Sequence, residues 1–82
     1  MPRKSLTARQ IRDEVSTRLA ALPEVREDEA TIVVPLAQWN EPDEFGCNWH
    51  MSFFGGDAMA YMPAIQQVVA DAQAAYQLAA AP

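Results

Sequence analysis

One cysteine, one histidine and three glycines are spread over 82 residues. A lone cysteine, Cys47, excludes an intrachain disulfide, and small secreted domains commonly need several, so a reducing compartment, the cytoplasm, is expected. One Cys and one His fall short of the three or four ligands that a zinc site usually takes. The glycines make neither a phosphate-cradling loop nor a Gly-x-Ser-x-Gly elbow, and Gly55-Gly56 reads as a strand-to-helix turn. No window reaches the roughly 18 apolar residues of a membrane span. The basic start at Arg3 and Lys4 leads into Thr, Arg, Gln, Asp and Glu rather than the apolar run of a secretory signal, and Asp13 and Glu14 argue against a transit peptide. Glu41-Pro42-Asp43-Glu44 lacks the alternating oxygen ligands and the glycine of a calcium loop. No metal, no cofactor and no membrane association are therefore expected.

What is present is an ordinary globular composition, half of it hydrophobic and 21% charged, which suits a chain that folds round one core. A single domain over residues 1–82 is expected, with residues 1–5 and 80–82 disordered. The net charge is −5, unevenly laid out. Arg3, Lys4, Arg9, Arg12 and Arg18 against Asp13 and Glu14 give the first 18 residues +3, and the remainder carries −8. Such a dipole reads either as two solvated faces or as a basic patch on the first helix for nucleic acid; overall acidity disfavours the latter, since phosphate binding needs a dominant positive field.

Thr7-Ala8-Arg9-Gln10 has the spacing of a capping box, and Leu6 and Ile11 stand where a hydrophobic staple would close. A helix should start at Thr7, bury Ile11, Val15, Leu19 and Leu22, and stop before Pro23, because proline disfavours helical geometry at the preceding residue. Glu24 to Ala30 reads as a charged connector. Thr31 to Leu36 is β-branched and short enough for a strand, with Pro35 blunting one edge. Ala37 to Phe45 reads as a polar loop.

A second strand from Gly46 alternates over eight residues, Cys47, Trp49, Met51 and Phe53 facing the core and Asn48, His50, Ser52 and Phe54 facing out. After Gly55-Gly56-Asp57 a second helix is expected from about Tyr61 or Met62 to about Ala79, with Met62, Ile65, Val69, Ala72 and Tyr76 as its stripe. The fold class is α+β: a two-layer α-β-β-α arrangement with an antiparallel hairpin packed against two helices.

Asp43-Glu44-Phe45-Gly46-Cys47-Asn48-Trp49 resembles a group of small bacterial proteins without assigned activity. These carry an acidic turn, then Gly-Cys-Asn-Trp, then a C-terminal helix ending in an aromatic and Leu, here Tyr76-Gln77-Leu78. The resemblance spans about the last half of the chain. It implies a bacterial source and an α-β-β-α order, and brings no established activity with it.

Cys47 and His50 together suggest a thiol nucleophile with its base. Three residues is an odd separation, however, so a regular strand sends the two side chains to opposite faces. Three function classes follow. The first is a non-enzymatic protein-interaction module, homodimeric through antiparallel pairing of Cys47 to Phe53 along the open edge of the second strand. Asn48, His50, Ser52 and Phe54 are its candidate contacts, and Trp39 reads equally as a lid on the core or as a contact. The second is a small enzyme using Cys47 or His50. The third is nucleic-acid binding through the basic first helix.

Overall fold

The computed structural model describes residues 3–79. The helical and strand segments are β1 (Lys4–Leu6), α1 (Ala8–Ala20), α2 (Pro23–Glu27), β2 (Ile32–Val33), β3 (Gln38–Trp39), β4 (Trp49–His50), β5 (Gly55–Gly56), α3 (Met62–Ala75) and β6 (Tyr76–Leu78). A single 3-10 turn, Ala58–Tyr61, leads into α3. The class is mixed α+β.

Both local signals at the first helix operate. The Thr7 hydroxyl accepts from Gln10 N (3.1 Å) while Gln10 Oε1 accepts from Thr7 N (2.9 Å), closing the box. Ile11, Val15 and Leu19 are fully buried, and Leu6 and Leu22 pack at the margin of the same cluster. Pro23 ends α1 by holding Leu22 extended at ψ 132°. The next segment departs from the charged connector expected: Pro23 sits at N1, where its missing N–H costs nothing, and opens the short α2, which buries Val25.

The hairpin differs more. β2 pairs with β5 (Ile32 opposite Gly56, Val33 opposite Gly55) and β3 with β4 (Gln38 opposite His50, Trp39 opposite Trp49). The step from Ile32 to Gln38 on one arm equals the step from Gly56 back to His50 on the other, so the two short ladders keep one register. They are separated where Pro35 lies opposite Phe53. Pro35 has no N–H for the ladder, and Phe53 adopts φ 65°, a left-handed backbone that a bulky residue rarely takes.

On both arms the inward phase changes at this break. Ile32 and Val34 are half-buried before it and Ala37 is buried after it; Cys47 and Trp49 are buried before it and Phe54 half-buried after it. The uninterrupted eight-residue alternation from Gly46 is therefore corrected. Phe53, expected in the core, is 91% exposed, and Phe54, expected outside, packs against the core. Beyond the second ladder Asp57 N donates to Thr31 O (2.7 Å) and Thr31 N to Asp57 Oδ2 (2.9 Å). Gly56 (φ 66°) makes that closure feasible, because a Cβ there would lie 2.3 Å from Thr31 O.

α3 begins at Met62, with Pro63 in its first turn, but ends at Ala75 instead of Ala79. Tyr76 turns extended (φ −130°, ψ 150°), and Tyr76–Leu78 pairs in parallel with Lys4–Leu6, Lys4 opposite Tyr76 and Leu6 opposite Leu78. Residues 4 and 5, expected to be disordered, thus form a strand; residues 1, 2 and 80–82 lie outside the described residues. Parallel strands need a long crossover, and here nearly the whole fold is that crossover.

The core gathers Ile11, Val15 and Leu19 from α1, Ile65 and Ala72 from α3, Ala37, Cys47 and Trp49 from the hairpin, and Leu78 from β6. Each large side chain so buried contributes about 1.5–3 kcal/mol. No helix among the described residues is long and apolar enough to cross a membrane.

Candidate functional site

Gly46 to His50 is occupied with building the fold. Cys47 is buried and its thiol donates to Trp49 O (3.3 Å). Asn48 spends its whole amide on β6: Nδ2 donates to Leu78 O (3.1 Å) and Oδ1 accepts from Leu78 N (2.8 Å). The side chain thus stands in for one residue of a neighbouring strand. Trp49, 1% exposed, donates Nε1 to Tyr76 O (3.0 Å). On the outer edge of this strand, expected open, Trp49 O accepts from Gln73 Nε2 (3.0 Å), while Cys47 N donates to Asp43 Oδ1 (3.0 Å) in the hairpin's own loop.

His50 is exposed, with Nδ1 2.8 Å from Asn40 Oδ1. A carbonyl oxygen only accepts, so Nδ1 is the donor of this bond. Cys47 and His50 therefore have separate partners on separate sides of the strand. Trp39, opposite Trp49, lies on the core side of the ladder yet is 43% exposed, a lid with an open margin. Among the described residues no three His, Cys, Asp or Glu side chains gather as a metal site.

Three of the five cations of the basic start are engaged internally. Arg3 Nε donates to Gln73 O (2.7 Å), one of the carbonyls that a helix end leaves unpaired. Arg12 pairs with Asp13 (3.1 Å). Arg18 reaches Glu14 (3.6 Å), donates to the Tyr76 hydroxyl (3.2 Å) and lies 5.6 Å from the Tyr76 ring centroid. Lys4 and Arg9 are the exposed remainder.

The feature these pieces leave on the surface is a groove of about 590 Å³ between residues 50–54 of the hairpin and the 3-10 turn with α3. Ile65, Val69, Met62, Met51 and Phe54 make its apolar lining, and Gln66, Gln73, His50 and Ser52 its polar parts; among the described residues no Asp, Glu, Lys or Arg lines it. Phe53 and Met59, 91% and 87% exposed, stand on its margin. Of the five contacts expected from sequence, His50, Ser52 and Phe54 come together here; Asn48 is used within the fold and Trp39 lies elsewhere. Phe53 and Met59 were missed as surface residues. The Phe53-Phe54 doublet held a signal, since adjacent strand residues cannot both face inward. No protein-family model, curated protein or solved structure matches the chain.

Proposed function

We propose that the chain is a non-enzymatic protein-interaction module whose groove beside α3 receives apolar side chains of a protein. The observation that carries this is the exposure of Phe53 (91%) and Met59 (87%) on the margin of an uncharged groove. Exposed aromatic and thioether surface beside a concavity marks association sites, because its removal from water is favourable and methionine adapts to irregular partners. A two-layer arrangement, with α1 and α3 on one side of the hairpin, supports the reading by leaving the hairpin margin at Phe53 uncovered. A cytoplasmic place, supported by the single cysteine, belongs to the same reading. The Gly-Cys-Asn-Trp resemblance brings no activity with it.

A photoreactive phenylalanine analogue at position 53 tests this in cells, with the same analogue at Phe45 as control. Phe45 is 74% exposed at the hairpin tip and does not line the groove. Covalent protein adducts are expected at 53 and few at 45. Equal yields, or none at 53, would sink the proposal.

A further inference from the structure

Resting on that reading, we infer that the groove's occupant is a second copy of this chain, joined about a two-fold axis with each Phe53 seated in the other's groove. Charge is the first argument. The chain carries −5, and a two-fold contact sets each surface patch beside its own copy, so such a contact is favoured through neutral surface. Between His50 and Ala70 the sequence holds one charged residue, Asp57, and its Oδ2 accepts a hydrogen bond from Thr31 N. The stretch that builds the groove is thus where two acidic copies approach without opposing like charges.

Complementarity is the second argument. An isologous interface needs a projection and a receptor on one surface. Phe53 projects almost wholly into solvent, and the concavity floored by Ile65 and Val69 lies beside it.

The third argument is the backbone. A φ of 65° at a phenylalanine is costly, and a 91% exposed ring recovers little of that within its own chain. Insertion into a neighbouring groove buries the ring. A standard interface takes about 800 Å² per partner, roughly 15% of the 5430 Å² surface, an area that the groove, Phe53 and Met59 centre.

Sedimentation equilibrium of the purified chain from about 1 µM to about 1 mM decides it. The mass is expected to rise from 9.1 kDa toward twice that value. Phe53→Gly should weaken the dimer about thirtyfold or more, the fold-change of a hot-spot side chain. At about 1 µM, where both chains are monomeric, its unfolding midpoint should be no lower than wild type, because glycine accepts positive φ; this separates loss of contact from loss of fold. A wild-type mass of 9.1 kDa throughout, or a Phe53→Gly chain that dimerises like wild type, overturns the inference. Adducts to other proteins at position 53 with a monomeric chain reject the second copy and keep the interaction module; no adduct at all rejects both.

Discussion

Phe53 shows how one residue's backbone decides what two neighbouring side chains do. Its left-handed φ rotates the strand so that Phe54 turns in and Phe53 out, and the uncharged margin of the groove is the result. Tyr61 is a second case of local geometry with a measurable consequence. Its hydroxyl donates a hydrogen bond to Asp28. That bond above all, then lost hydration and the negative charges of Asp28, Asp57 and Glu24, pushes its pKa from 10.0 up to about 12. The folded chain holds this proton more tightly than the unfolded one. Tyr61 therefore contributes stability in full below pH 10, and the contribution is lost as pH rises towards 12. In a Tyr76→Phe variant, where Tyr61 is the remaining phenol, spectrophotometric titration should show a midpoint near 12. A midpoint at 10.0 would mean that the Asp28 bond is absent in solution.

At the scale of elements, what was legible in the sequence is what neighbouring residues decide among themselves. The Thr7 box, the stripe of Ile11, Val15 and Leu19, the stop before Pro23 and the start of α3 near Met62 depend on residues within a turn or two. The two arms of the hairpin were legible as well, though not their break, because alternation reports a period and is blind to a change of phase. β1 and β6 were invisible: each is three residues long, and their pairing depends on ends more than seventy positions apart.

Asn48 belongs at this scale too. It looked like a contact on an outer face, and it instead bonds both backbone groups of Leu78. Asn48→Ala leaves that N–H and C=O half-buried without their partner. The expected loss in urea unfolding is about 1–3 kcal/mol, and a change below a few tenths would show that β6 does not depend on it.

For the whole molecule, the parallel β1–β6 ladder, the Asn48 amide and the Arg3 cap on α3 all converge on the C-terminal strand. The opposite margin of the hairpin, at residues 50–54, makes the groove with α3. Three of the expected contacts were found there, while the Cys47–His50 pairing dissolved because burial and hydrogen bonds take the two side chains apart. The account of function stands on the phase change that turns Phe53 outward. It is tested most directly by thiol accessibility in a Cys47→Ala background, comparing Phe53→Cys with Phe54→Cys at about 1 µM chain, where copies stay apart. The thiol at 53 should react close to the rate of a free thiol and the thiol at 54 severalfold more slowly. The reverse order, which an unbroken strand would give, would contradict the account.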